Sequence, residues 1–438
     1  ATAMAAQDSS AQQGPLPVII IGAGVSGLLL AQYLRKNGVP FRIFERDTDL
    51  TTRGVGWGLT LHWSLPALRS LLPEDLVARL PEAYVDRAAV ARGEASAFPF
   101  FDLSTGELKG ASPRAPESLR IRVTRERLRR LVATGIDIQW GKGFASYEEK
   151  EDSVVVSFED GSTCAGRVLV ACDGGASRVR TQLFPDHHQR HRIPVRVLGL
   201  KVFLSPEEME PIRKLDPFFL QGTSSQNDTF LYLSMLDAPG NNNDSTDKYS
   251  CQMCISWPDR PGFLGKPEAT GFPETNGGRL DLIRSFAGGW SEPFRSLALG
   301  IPADTDVKQL ELFDYPPPKG LRSSGRAVLM GDAFHAMAMS DEFPGGILRE
   351  KDRGEGANHA ILDVLDFAEA VGPKLLGGAG FPELRAAMDA YEDAVVARAR
   401  PGVLASRRAC LDAHDWPKIS PTSPLLSKRE MKLHFDEE

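Results

Sequence analysis

Val18-Ile19-Ile20-Ile21-Gly22-Ala23-Gly24-Val25-Ser26-Gly27 is the stretch on which the fold turns. Four apolar, mostly β-branched residues read as a short buried strand. Glycines follow at G-x-G-x-x-G spacing, and helix formers run from Gly27 to Lys36. In a strand–turn–helix unit each glycine has a task. Gly22 makes the tight turn, Gly24 lets backbone approach a pyrophosphate, and Gly27 lets the helix pack on the strand, with the helix N-terminus stabilising the anion. The next apolar run, Phe41–Phe44, predicts a second strand that ends at Glu45. A carboxylate in that place holds the ribose of an adenosine and repels a ribose 2′-phosphate. A glycine-rich turn kept for packing alone would leave Glu45 unexplained, so the segment predicts dinucleotide binding.

Farther along, helical patterns are expected at Leu65–Leu72, Pro73–Leu80 and Arg125–Ala133, the last with leucines at 128 and 131. Asp152–Phe158 and Asp160–Val170 read as a hairpin through Glu159-Asp160-Gly161, ending in the apolar run Val168–Ala171. Between about 195 and 315 the texture changes to an antiparallel sheet, with strands at Val195–Leu204, Phe218–Gln221, Thr229–Met235 and Tyr249–Trp257. Asn241–Asp247 is a polar loop within it. Arg326–Met330 is one more buried strand, Gly356–Ala370 opens a helix, and Arg385–Arg400 is a long charged helix. There is no internal repeat. The fold class is α/β: one Rossmann-type nucleotide-binding domain, residues 15–194 and 316–410, interrupted by a mostly antiparallel β-sheet domain at 195–315. A disordered lead at 1–14 and a C-terminal extension at 411–438 complete the division.

Two further segments choose between dinucleotides. Val168-Leu169-Val170-Ala171-Cys172-Asp173-Gly174-Gly175-Ala176-Ser177-Arg178-Val179-Arg180 is an apolar strand running into Asp-Gly. Ala327-Val328-Leu329-Met330-Gly331-Asp332-Ala333-Phe334-His335 is another, running into Gly-Asp, and Gly354-Glu355-Gly356-Ala357-Asn358 follows. Together with the glycine-rich turn, these elements resemble the group A FAD-dependent monooxygenases of the para-hydroxybenzoate hydroxylase fold, in a salicylate-hydroxylase-like form of fungal type. The resemblance spans Pro17 to about Cys410.

The resemblance implies FAD as cofactor, with Gly22, Gly24, Gly27 and Glu45 on its ADP half. Arg125, in Val123-Thr124-Arg125-Glu126-Arg127-Leu128, matches a family arginine that contacts the cofactor. Asp332 is expected at the ribityl and pyrophosphate region. Gly356 and Ala357 are expected to offer N–H groups to the flavin pyrimidine edge at a helix start, where the negative charge of reduced flavin is stabilised. Asp173 and Arg180 lie in the segment the family associates with FAD and NAD(P)H. Asp173 and Asp332 could instead serve only as helix N-caps, and Arg178 and Arg180 could simply be solvated. One departure stands out: His335 and Gly354 are separated by a stretch about a dozen residues longer than the family pattern. The extra stretch, about Ser340–Asp352, is expected beside the isoalloxazine, as a lid hinged at Pro344-Gly345-Gly346 or as a tolerated insertion.

The implied reaction takes electrons from NADH or NADPH bound transiently, since no second glycine fingerprint marks a nicotinamide domain. O₂ then gives a C4a-hydroperoxyflavin that oxygenates a small, electron-rich substrate, expected to be an aromatic or secondary-metabolite compound. Baeyer–Villiger oxidation, epoxidation, and a flavin oxidoreductase without oxygen transfer are the alternatives. The substrate cavity is expected between flavin and β segment, with Gln221, Tyr232, Met253 and Trp257 as candidates, each also readable as core. His62, in Arg53-Gly54-Val55-Gly56-Trp57-Gly58-Leu59-Thr60-Leu61-His62, is the candidate for acid–base or hydrogen-bonding chemistry. His335 and His359 read as structural.

Composition fits a folded enzyme. The chain has 438 residues, 42% hydrophobic, enough for two cores or one large composite fold. The net charge of −7 disfavours nucleic acid and anionic membranes as partners. The expected partners are the small substrate and O₂; oligomeric state is left open. Cysteines 164, 172, 251, 254 and 410 are sparse and odd in number, which suggests a reducing compartment and a cytoplasmic location. Cys251 and Cys254 form a C-x-x-C on a predicted strand, where residues three apart face opposite ways, so no metal or redox pair is expected. No apolar run reads as a signal peptide or membrane span.

Overall fold

The computed structural model of the protein describes residues 14–52, 56–243, 245–337 and 355–435. A five-stranded parallel sheet forms around the opening strand β1 (Val18–Ile21), in the order β17 (Ala327–Leu329), β11 (Val168–Ala171), β1, β2 (Phe41–Phe44), β7 (Ile138–Gln139). The runs are short and almost wholly apolar because both faces are covered. Helices Val25–Lys36 and Gly356–Ala370 lie against it. The small antiparallel sheet β8 (Phe144–Glu149), β9 (Val154–Phe158), β10 (Thr163–Gly166) includes the expected hairpin, turning at Gly161 with φ +85°.

A second sheet has seven strands, in the order β16 (Lys308–Asp314), β12 (His191–Leu204), β15 (Tyr249–Pro258), β14 (Phe230–Asp237), β13 (Phe219–Thr223), β4 (Phe100–Asp102), β5 (Leu108–Gly110). Neighbours are antiparallel except β13 and β4. Its outer face packs on helices Pro206–Leu215 and Asn276–Ala287, giving a second core. The expected sheet at 195–315 is thus the centre of a wider one. Phe100, Phe101 and Leu103, from the segment assigned to the nucleotide-binding half, and Cys410, Ala413 and Leu425 join this core. Sequence order hid this, because β4 and β5 are three-residue strands added at the sheet's edge.

A ribbon of β3 (Gly58–Leu61) and β6 (Ile121–Thr124) bridges the two bodies. Helix Arg125–Val132 follows β6 directly, capped by Thr124, whose hydroxyl accepts the Arg127 N–H. The charged helix expected at Arg385–Arg400 runs from Phe381 to Asp412, through Pro401. It overruns the expected end because its last turns are buried against the second sheet, and packing outweighs the local penalty at proline. Tyr391 on it donates to the Leu329 carbonyl at 2.6 Å, and Arg407 pairs with Asp314 of β16 at 2.5 Å. One helix therefore ties both sheets. No helix among the described residues is long and apolar enough to cross a membrane.

Candidate active site

The glycine-rich turn is shaped by close packing. Gly22 has φ +104°, and a Cβ there would run into the Cys172 carbonyl oxygen; one at Gly27 would run into the Gly22 carbonyl. Gly24 differs: a Cβ there would meet only the Arg125 guanidinium, at 3.7 Å. Helix Val25–Lys36 begins at this point with no side-chain cap. Its first N–H groups are left for another acceptor.

Glu45, 5% exposed, stands beside this turn. Its carboxylate accepts the Ala23 N–H at 2.8 Å and the Asp47 N–H at 3.1 Å. Arg129, one turn after Arg125, lies 3.6 Å from it and donates to the Ala23 carbonyl at 2.7 Å. The sequence reading took Arg125 and the leucines of this helix and missed Arg129; a cation four residues after Arg125 on the same face was the available signal. Arg125 stacks over Trp57 with its guanidinium 5.2 Å from the ring centroid.

Gly331 is where the strand-to-helix turns meet. It has φ +65°, and its empty Cβ position faces the Ser26 hydroxyl and, 3.7 Å away, the Ala360 methyl. The start of helix Val25–Lys36 and the second turn of helix Gly356–Ala370 are thereby brought to Gly331, and Asp332, the next residue, is 7% exposed. Helix Gly356–Ala370 also has no side-chain cap, and among the described residues a Cβ at Gly356 would meet nothing within 4 Å. Its position comes from Asn358, which donates to the Thr60 carbonyl at 3.0 Å and accepts from the His62 N–H and the Ser64 hydroxyl. Trp63 donates to Glu355 at 3.1 Å.

Asp173 and Arg180 are engaged inside the fold. The Asp173 carboxylate accepts the Ser177 hydroxyl at 2.5 Å and the Arg178 N–H at 3.1 Å, which is the helix-holding alternative for this residue. Burial pushes its carboxyl above the ordinary range. Arg180, 2% exposed, is not solvated: it donates to the Ala333 and Gly175 carbonyls and stacks 4.1 Å from the Tyr315 ring centre. Burial lowers its guanidinium to about 10.

Behind Asp332 lies a buried charge network. His335 meets Asp363 at 2.5 Å, and Asp363 also accepts the Gly331 N–H at 2.8 Å. Arg398 donates to Asp363 at 2.6 Å, to Asp366 at 3.0 Å and to the His359 ring at 2.8 Å. Burial alone would raise the Asp363 carboxyl, but His335 and Arg398 outweigh it and hold it below the usual range. His335 and His359 are thus both held in this buried network.

On the second sheet, strand alternation sorts the substrate candidates. Thr223 donates to the Ala413 carbonyl at 2.6 Å, Ser256 meets His414 at 2.6 Å, and Ser234 bonds Arg122 of the ribbon at 2.5 Å; these mark the inner face. Gln221 and its cross-strand partner Tyr232 share that face, both buried. Trp257 and Met253 do not. Trp257 packs on Phe272 and Phe286, and its indole donates to the Thr270 carbonyl at 2.8 Å. Trp257 and Met253 are therefore corrected to outer core: one residue of strand phase turns each away from the ribbon. The same alternation puts Cys254 inward and Cys251 outward, both buried and neither in a disulfide. His62 sits at the ribbon end, its ring edge-on to Trp63 and 3.5 Å from the Asn358 amide. Arg53 and the stretch Ser340–Asp352 lie outside the described residues.

Room at Gly24 and Gly356, two uncapped helix starts and a buried carboxylate at Asp332 suit a flavin dinucleotide: phosphate and pyrimidine at the N–H groups, hydroxyls at the acid. Comparisons agree. The FAD binding domain family matches residues 15–214. A protein of Arthroderma benhamiae named as a probable FAD-dependent monooxygenase is 44% identical over 429 residues, 95% of this chain and 96% of that one. The FAD-dependent monooxygenase dbaB of Emericella nidulans is 36% identical over 356 residues, 80% of this chain and 84% of its own. Among solved structures, 2,6-dihydroxypyridine-3-hydroxylase of Arthrobacter nicotinovorans superposes with TM-score 0.70 at 18% identity, covering 97% of this chain and 99% of that one. Klebsiella pneumoniae HpxO, crystallised with FAD and uric acid, superposes with TM-score 0.64 at 20% identity, covering 93% and 91%.

Proposed function

The chain belongs to the FAD-dependent monooxygenases, and from that premise we propose that it uses NADH or NADPH and O₂ to hydroxylate a small aromatic substrate. The balance is NAD(P)H, a proton, O₂ and an aromatic C–H giving NAD(P)⁺, water and an aromatic C–OH. FAD, when bound, supplies the electron relay and the oxygen transfer.

The observation that carries this reading is the packing of two helices that lack side-chain N-caps, through Ser26 and Ala360, around Gly331 beside the buried Asp332. Gly22, Gly24 and Gly27 would admit the pyrophosphate beside Arg125, and Glu45 would accept the adenosine ribose hydroxyls. Asp332 would accept ribityl hydroxyls. Gly356 and Ala357 would donate to the pyrimidine edge and favour negative charge there. Asp173 would act one step back, by holding the loop that also presents Arg180. The inner sheet face, with Gln221 and Tyr232, would close the substrate side and keep water out. His62 is retained as the proposed hydrogen-bonding group, its ring held against Asn358.

The test is direct. Purified protein should be yellow, release FAD, and oxidise NADH or NADPH faster when O₂ and a hydroxyarene are both present. With isotopically labelled O₂ the product should carry one labelled atom. Colourless protein that cannot be reconstituted with FAD would overturn the site. Turnover without label in the product would leave a reductase.

A further inference from the structure

The inner face of the seven-stranded sheet holds a polar pair next to the ribbon. Register sets Ser234 of β14 opposite Gln252 of β15, and Gln252 opposite Lys201 of β12. Ser234 bonds Arg122, whose other nitrogen donates to Thr60, and Thr60 carries the carbonyl that Asn358 holds. A continuous chain of contacts therefore runs from the pyrimidine-side helix start to this row of the sheet.

Gln252 is 2% exposed. Its Nε2 makes one weak contact, 3.8 Å from Cys254 Sγ, and its Oε1 meets no donor among the described residues. A buried carbonyl oxygen left without a donor is costly, so such an atom calls for a group that supplies one. Its neighbour Lys201 is half-buried, and burial holds its ammonium below the ordinary range with no acidic side chain to offset it. Cross-strand partners stand about 5 Å apart at Cβ, the spacing at which two side chains grip one small group. A cation and a bare acceptor side by side complement a ligand edge with an anionic or carbonyl oxygen beside an O–H or N–H.

We propose that Gln252 and Lys201 anchor the polar edge of the substrate, Oε1 accepting from a phenolic O–H or ring N–H and the ammonium pairing with an adjacent carboxylate or carbonyl oxygen. This rests on the monooxygenase reading and assigns the holding of such an edge to Gln252 and Lys201 on the inner sheet face. Gln252 and Lys201 are positioning residues for the carbon that is oxygenated.

The experiment uses the full FAD-loaded chain in the oxidised state, so no turnover is needed. Binding of 1-hydroxy-2-naphthoate, its O-methyl ether and 1-naphthol is followed by the change in flavin absorption. Wild type should bind the hydroxy acid at least tenfold tighter than either analogue. Gln252→Leu should erase the preference over the ether while keeping that over naphthol. Lys201→Met should do the reverse, and Lys201→Arg should restore much of it. Melting temperature and FAD content serve as folding controls for each variant. Unchanged selectivity in Gln252→Leu and Lys201→Met, or no binding of the hydroxy acid to wild type, overturns the anchor. Selectivity as expected without oxygen transfer to any member would count against the oxygenation reading alone.

Discussion

Asn358 donates from Nδ2 to the Thr60 carbonyl at 3.0 Å, so one amide fixes the first turn of the Gly356–Ala370 helix against the bridging ribbon. The same side chain accepts from Ser64 and the His62 backbone. Asn358→Ala removes three bonds at a buried site and should cost about 1–3 kcal/mol of stability. FAD affinity should drop with it, because the helix start loses its aim. Thermal melting and FAD titration check both, and full FAD affinity in this variant would separate the helix start from the cofactor.

Asp332→Ala should strip flavin from the purified protein, since it deletes the buried carboxylate beside the junction of the two helices. Gly24→Val should do the same by filling the space where only Arg125 now stands. The ratio of flavin to protein absorbance measures both.

The Asp363 network gives a pH signature. The carboxyl is depressed in the folded protein, so its contribution to stability is complete above the ordinary carboxylate range, about pH 4. It is lost as pH falls through the lower folded value. Asp363→Asn leaves Arg398 and His335 underpaired and should cost about 3–5 kcal/mol. Melting temperatures between pH 7 and 3 should converge for the variant and wild type at the acid end.

Trp257 and Gln221 separate the two faces of the sheet. Trp257→Ala opens a cavity in the outer core and should cost about 3–5 kcal/mol, with the ligand preference of the folded fraction unchanged. Gln221→Ala should do the opposite: little loss of stability and a weakened KM. Steady-state kinetics with melting curves distinguish them.

All five cysteines are buried and none is in a disulfide, and burial pushes the Cys251 thiol to about 12. A thiol reagent should find none of them quickly in the native protein and five after denaturation.

The parts legible in the sequence were those written locally. Gly22 to Gly27, Glu45 and the Gly331-Asp332 turn carry their meaning in a few adjacent residues, because a strand meeting a helix needs those residue types at fixed offsets. The ends of the Val18–Ile21 and Phe41–Phe44 strands were read to the residue. Alternation could have separated Trp257 from Cys254, but not said which parity faces the ribbon; that depends on Ser234 meeting Arg122, residues 112 apart. Arg129 and Gln252 were missed for the same reason: each is ordinary within its own segment, and only its distant partner or lack of one gives it a role; Asn358 stands in the Gly354–Asn358 motif, but its hold on Thr60, nearly three hundred residues earlier, is not written there. For Arg180 the alternative of a solvated cation gives way to the Tyr315 ring and the Ala333 carbonyl packed around it, neither of which its own segment announces.

The long helix Phe381–Asp412 has a consequence in time. Tyr391 secures the first sheet, Arg407 secures the second, and Ala413 and His414, just past the helix, cover the inner face at Thr223 and Ser256. During synthesis the glycine-rich turn emerges first, yet the surfaces it works with are closed by residues made near the end. The nascent chain must therefore hold two half-covered sheets, with the cofactor cradle formed but unsupported, until that helix leaves the ribosome. A chain stopped before residue 381 would lack the Tyr391 and Arg407 ties and the cover at Thr223 and Ser256.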